Sequence, residues 1–234
     1  MAERTTTALV ERNADQGSEH PTAEDSARLA PARKSRAGVD KRTELLKAAS
    51  KQFLKLGYEG SSINSLARSS GISKESIYRY FSSKEALFEA VVEKELEAHR
   101  KALSTLASIQ GGDASLDQLR EAAISILKVM TSDRTLSLRR LMFQAATRNP
   151  EIGEHYYRIG PEVAYEQFED FFERLGASTR FTPKALSRAF MALLLHEIML
   201  ARACRVESSP SKERIEQCAT NTVEVFERSF LMGA

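Results

Sequence analysis

The sequence predicts an all-α protein, and three observations carry that prediction. Apolar residues recur at helical spacing, as in Leu45, Leu46, Ala49, Phe53 and Leu54. Four of the six prolines, Pro150, Pro161, Pro183 and Pro210, stand where a helix should open, a position that suits a residue whose missing N–H would have no intrahelical partner. No run alternates apolar and polar residues as a half-buried strand does, and there is no internal repeat.

In chain order, residues 1–38 come first, poor in large apolar side chains and carrying Pro21 and Pro31. They cannot bury enough surface to offset the entropy of ordering, so they are expected to be a disordered tail, with a basic end at "RKSR". Helices are then expected over about 40–57, 62–69, 73–80, 83–109, 115–131, 134–147, 150–159, 161–175, 183–205 and 210–231. Gly57 stops the first. Ser82 with Glu85, and Ser115 with Gln118, have capping-box spacing, in which each side chain satisfies an otherwise free backbone donor.

The net charge of +2 hides an uneven distribution. From Arg33 to Phe88 there are 12 Lys/Arg against 5 Asp/Glu, whereas residues 1–32 carry 3 against 6. A local basic field suits a polyanion such as nucleic acid; a solvated helix face is the alternative reading of the same charges. Within this segment, "SINSLARSSGISKESIYRYF" (Ser62–Phe81) reads as a short helix, a glycine and a second short helix. Gly71 can take the positive φ of a tight turn, Ser73 can cap the second helix, and Ile63, Leu66, Ala67, Ile72 and Ile77 can form an internal face. That is helix-turn-helix geometry, in which the second helix presents its amino-terminal residues, here Ser73, Lys74, Glu75 and Ser76, to base edges. Lys74 can donate to guanine, Glu75 can accept from cytosine, and Ser76 can approach either kind of edge. Tyr78 and Tyr80 can donate to phosphates, and Lys84 can add its charge to the first turn of the next helix.

At this point the chain resembles a known family. "SSINSLARSSGISKESIYRYFSSKEALFEAVVE" looks like the DNA-binding domain of TetR-family transcriptional regulators, and "RTELLKAASKQFLKLGYEG" resembles that family's first helix and loop. The similarity covers about residues 39–100. It implies that Ser62 opens the supporting helix and touches phosphate, that Lys74, Glu75 and Ser76 face bases, and that Tyr78 and Lys84 clamp the backbone. Ile77 and Phe81 would pack inward, with Arg79 and Tyr80 at variable positions. The family often has a small residue or proline near Glu75 or Ser76, so the carboxylate is a departure. Glu75 has two readings, a base contact or a favourable charge on the helix dipole.

For residues 101–234 the resemblance implies a helical effector-binding and dimerisation domain. Independently, 8 of the 17 aromatics lie between Phe143 and Phe181, where they either fill a core or wall a pocket. Phe143, Gln144, His155, Tyr156, Tyr165 and Phe168 are the candidate ligand residues, with Arg139 and Glu154 as further polar groups. "RRLMFQAATRNPEIGEHYYRIGPE" also resembles carboxy-terminal domains of the AcrR/AefR-like branch. The last two helices carry Phe190, Leu194, Ile198, Val223, Phe226 and Phe230; the family implies a four-helix dimer interface there, and packing within one subunit would use the same residues.

Other classes find little support. "HEIML" at His196 opens like a zinc-protease helix, but Leu200 stands where the second histidine belongs. There is no phosphate-binding Gly loop, no G-x-S-x-G elbow and no Cys/His cluster, so neither catalysis nor a cofactor is expected. No apolar run approaches the roughly 20 residues that span a bilayer, and "MAERTTTALVERNADQG" lacks a signal-peptide core. With only Cys204 and Cys218, the expectation is a cytoplasmic protein. Its expected partners are double-stranded operator DNA, a second copy of itself and an unidentified small-molecule effector, with no membrane. The competing expectations are a helical carrier or enzyme with no DNA role, and a DNA-binding regulator without ligand control.

Overall fold

The computed structural model describes residues 36–107, 114–176 and 179–231. The polar tail and its basic end fall outside the described residues up to Ser35. Among the described residues every regular element is helical: α1 (Arg36–Leu56), α2 (Ile63–Ser70), α3 (Lys74–Tyr80), α4 (Lys84–Glu95), α5 (Glu97–Ala107), α6 (Leu116–Met130), α7 (Asp133–Arg148), α8 (Pro150–Tyr157), α9 (Val163–Leu175), α10 (Pro183–Ala203) and α11 (Lys212–Phe226). No helix among these residues is long and apolar enough to cross a membrane.

Most boundaries follow local chemistry visible in the sequence. Ser115 and Gln118 form the expected capping box of α6. Pro150 and Pro183 open α8 and α10. Gly57 takes φ 78° and its N–H bonds the Phe53 carbonyl at 2.9 Å, closing α1. Four expectations shift. The helix expected over 83–109 divides at Leu96 into α4 and α5, and Pro210 lies ahead of Ser211, the cap of α11, instead of opening the helix. The cap of α4 is Ser83, whose hydroxyl accepts from the Ala86 N–H at 3.1 Å, because Glu85 is engaged by Tyr58 instead. Pro161 does not open a helix: it lies inside a π-helical turn, Arg158–Glu162, that joins α8 to α9. Proline has no N–H and crowds the carbonyl four residues back, and a widened turn absorbs both faults.

From Asp40 onward the chain packs as one compact unit with two apolar cores. The first joins α1–α4 through Leu45, Phe53, Leu66, Ile77, Phe81 and Phe88. It also takes in Leu138, Leu141, Met142, Ala145 and Ile152 from α7 and α8, residues expected to belong to the second domain. The second core joins α5, α6, α9, α10 and α11 around Phe168, Phe171, Phe172, Phe190 and Phe226.

Candidate functional site

The helix-turn-helix is built from two capped short helices. The Ser62 hydroxyl accepts from the Ser65 N–H at 3.0 Å, completing a capping box on α2. Gly71 takes φ 71°, and its N–H bonds the Ala67 carbonyl. The Ser73 hydroxyl then accepts from the Ser76 N–H at 3.3 Å and opens α3. Burial of Ile63, Leu66, Ile77 and Phe81 fixes the inner side of the motif. The outer side of α3 is left to Lys74, Glu75, Tyr78 and Arg79, all exposed, with Tyr78 at 54%.

Of the residues of α3 expected to face DNA, Lys74, Glu75 and Tyr78 are exposed while Ser76 and Tyr80 are half-buried. Lys74 and Tyr78 are unencumbered by side-chain hydrogen bonds among the described residues. Ser76 is half-buried, and its hydroxyl lies 3.1 Å from that of Ser73 and 3.4 Å from an Arg79 nitrogen. Tyr80 packs partly against the first core, with the Arg79 guanidinium 5.4 Å above its ring. The Glu75 carboxyl is held below its ordinary range by a hydrogen bond from its own backbone N–H and another from Ser73, which fits its reading as a charge at the helix N-terminus. Lys84 sits at the start of α4 with Nζ 4.0 Å from the centre of the Tyr58 ring, a cation–π contact that aims a long side chain. Tyr58, which sequence reasoning missed, is buried against Phe53 and Phe88 and donates to the Glu85 carboxylate at 2.7 Å. Burial and that carboxylate push the Tyr58 hydroxyl pKa far up. Its only signal in the sequence is an aromatic just past the glycine that ends α1.

A cavity of about 470 Å³ lies among α5–α10. Phe143, Tyr156 and Tyr165 line it, as expected, and so do Arg139, His99, Leu103, Met130 and Met191. Gln144, His155 and Phe168 do not. Each residue turns about 100° from the last along a helix, which carries Gln144 away from Phe143 to a groove beside Gly57. His155 faces Arg158, with Nδ1 3.2 Å from its guanidinium. Phe168 is fully buried against Phe172 and Phe190. Glu154 is exposed and outside the cavity wall. His99 is the polar group that periodicity gave no reason to select: burial, then the Arg139 charge, lowers its pKa. Its Nε2 is 3.4 Å from the Thr135 hydroxyl, and a hydrogen bond to the Glu95 backbone one turn back opposes the lowering by burial.

One turn before His99, the buried Glu95 carboxylate accepts from Ser50 of α1 at 2.7 Å and from Arg134 Nη2 of α7 at 2.6 Å. Three helices are thus tied by one carboxylate. Leu96, next along, belongs to the first core and also lines the cavity. On the last two helices, Phe190, Leu194, Ile198, Val223 and Phe226 are buried in the chain's own core, because they point toward α6 and α9. Phe230 is half-buried, its ring 4.9 Å from that of Phe226. The apolar side chains that α10 and α11 leave exposed are Leu193, Leu200 and Val225.

An all-helical chain with a capped helix-turn-helix ahead of a cavity-bearing helical bundle has the build of a regulator that couples DNA binding to a second site. Two family descriptions match it: "Bacterial regulatory proteins, tetR family" over residues 45–91, and "AefR-like transcriptional repressor, C-terminal domain" over residues 117–230. Together they span more than half the chain, and the chain belongs to the TetR family of transcriptional regulators, which are not enzymes. The HTH-type transcriptional regulator UidR of Escherichia coli K12 is 28% identical over 111 residues, 47% of this chain and 54% of that protein. The chain thus spans about half the length of the curated relatives it matches there. A crystal structure described as a TetR-family transcriptional regulator from Mesorhizobium loti aligns with TM-score 0.73 and 26% identity, covering 85% of this chain and all of that one. The Flavonoid-responsive Regulator FrrA aligns with TM-score 0.67 and 25% identity, covering 83% and 98%.

Proposed function

We propose that the chain is a cytoplasmic, ligand-responsive repressor that binds a palindromic operator as a homodimer and is released when a small molecule occupies the cavity. The observation that carries this reading is α3: Ile77 locks it to the core while Lys74 and Tyr78 stand exposed and free of side-chain hydrogen bonds among the described residues. Lys74 reads base edges, and Ser76 reaches a base only by exchanging its contacts with Ser73 and Arg79. Ser62, Tyr78, Tyr80 and Lys84 hold phosphates on either side of the turn. Glu75 supports α3 as a charge on its free N–H groups rather than as a reader.

Dimerisation through the exposed Leu193, Leu200 and Val225 face would present two recognition helices about 34–36 Å apart, one turn of DNA. The cavity favours ligand control over an unregulated DNA binder. The name of FrrA, a flavonoid-responsive regulator, is in keeping with an organic effector. Leu96 supplies the mechanical link, since it is packed in the core that holds the helix-turn-helix and forms part of the cavity wall. A ligand acts only through different affinity for two arrangements, one with the α3 helices at operator spacing and one without.

Selection of bound sequences from random DNA with the full chain tests the reading. A palindromic consensus, bound by a dimer at low salt and progressively lost as salt rises, is the expected result. Recovery of no consensus would leave the helical carrier as the better account.

A further inference from the structure

The cavity wall has a charge asymmetry that its apolar character conceals. Its ionisable side chains include Arg100, Arg139 and His99, and no Asp or Glu lines it. Arg100 is occupied at the rim, donating to the Glu93 carbonyl at 2.9 Å. Arg139 has no carboxylate within ion-pair distance among the described residues, and it leans toward Phe143, 5.9 Å from the ring centre. Its charge acts on both His99 of α5 and Tyr156 of α8, so the three groups gather at one part of the wall. His99 stands there with Nε2 3.4 Å from the Thr135 hydroxyl. The Arg139 guanidinium and the Tyr156 phenol therefore offer donors, with the His99 imidazole beside them, in a site whose wall holds no carboxylate. A cation has nothing to pair with here, and a purely apolar ligand would leave these donors unsatisfied.

Resting on the reading of this cavity as the effector site, we infer that the effector is an amphipathic organic acid. Its carboxylate pairs with Arg139, and its apolar body lies against Leu103, Ile126, Val129, Met130 and Met191. The guanidinium fork matches a planar carboxylate, which an alcohol or amide of the same shape does not reproduce. The volume is within the range of ordinary small-molecule sites. The π turn across Arg158–Glu162 contributes to this wall: Gly160 brings its backbone against Leu96, where a Cβ would stand 3.3 Å from both Leu96 methyl carbons.

Calorimetric titration of the full chain with two matched pairs tests the inference: decanoate against 1-decanol, and 2-naphthoate against 2-naphthol. The acid should bind about tenfold or more tighter than its partner in at least one pair, the value of a charge-assisted hydrogen bond. Whichever pair shows it distinguishes an alkyl from an aryl acid. Arg139→Gln should remove the preference while leaving alcohol binding in place, and Arg139→Lys should keep part of it. Leu103→Trp, which fills the cavity, should abolish binding of all four. If acid and alcohol bind alike, or the preference survives Arg139→Gln, while Leu103→Trp still blocks binding, the cavity reading stands and this inference falls. If none of the four binds, or binding survives Leu103→Trp, both fall.

Discussion

The two ends of α9 are built for different purposes. Along its later turns it presents Phe168, Phe171 and Phe172 to α10 and α11, fully or nearly fully buried, with ring centres 5.2 Å from Phe190 and 5.3 Å from Phe226. In its first turn, on much the same face, Ala164 and Tyr165 line a cavity of about 470 Å³. The same helix is thus anchored by close-packed aromatics at one end and borders empty space at the other. Close packing resists a change of shape, whereas a cavity wall can give; a ligand entering between them would displace the wall and spare the stack.

That contrast predicts unequal responses to truncation. Phe226→Ala should lose about 3–5 kcal/mol in denaturant unfolding, since it leaves a void among rings that cannot collapse. Met191→Ala, at the cavity edge, should lose less than the ~2–5 kcal/mol typical of a close-packed site, because a void is already present. Equal losses at the two positions would erase the distinction.

The next effect tests whether the Glu95 contacts tie the cavity side to α1. Arg134→Ala strands a buried carboxylate, yet the arginine is itself 65% exposed, so the loss should be about 1–3 kcal/mol by chemical unfolding. A change within error would show that Ser50 alone satisfies Glu95. The Arg134→Ala variant should also bind its operator with altered ligand response, measured by displacement from labelled DNA.

Much of the helix-turn-helix is legible in the sequence, because each step there is local: serine caps, a glycine at positive φ, one apolar residue per turn. The cavity is not legible in that way. Phe143, Tyr156 and Tyr165 could be found as aromatics, but membership depends on a rotation of 100° per residue and on which helices pack together. Gln144 and His155 were neighbours of lining residues that face elsewhere, and Phe168 was the right residue type in the wrong surroundings. His99 and Met191, 92 positions apart in the sequence, join the same wall, a juxtaposition no spacing rule carries. Pro161 misled for a related reason, since a π turn keeps a helix running where proline normally begins one.

A smaller effect concerns pH. Burial and Arg139 hold the His99 pKa below the usual 6.5, so the unfolded chain takes up the proton first as pH falls. The stability associated with neutral His99 is then fully present above about pH 6.5 and is lost as pH drops through the unfolded value toward the lower folded one. Thermal melts between pH 7.5 and 5.5 should show a decline that His99→Gln flattens; parallel curves for the two proteins would contradict it.

Smallest in stability, and most informative for function, is Tyr78→Phe. The ring is already 54% exposed, so the melting temperature should hardly move, while loss of one phosphate contact should weaken DNA binding by about threefold to tenfold on any sequence. Lys84→Ala should act likewise and flatten the salt slope by about one unit, whereas Lys74→Ala should relax preference at one base position.

The most direct test is a salt titration of the wild-type chain and these three variants against a selected operator and a scrambled duplex. The account predicts a specific, salt-sensitive wild-type complex, uniform weakening by Tyr78→Phe and Lys84→Ala, and loss of discrimination confined to Lys74→Ala. Identical binding of all four proteins to both duplexes would contradict the assignment of α3 as the helix that reads DNA.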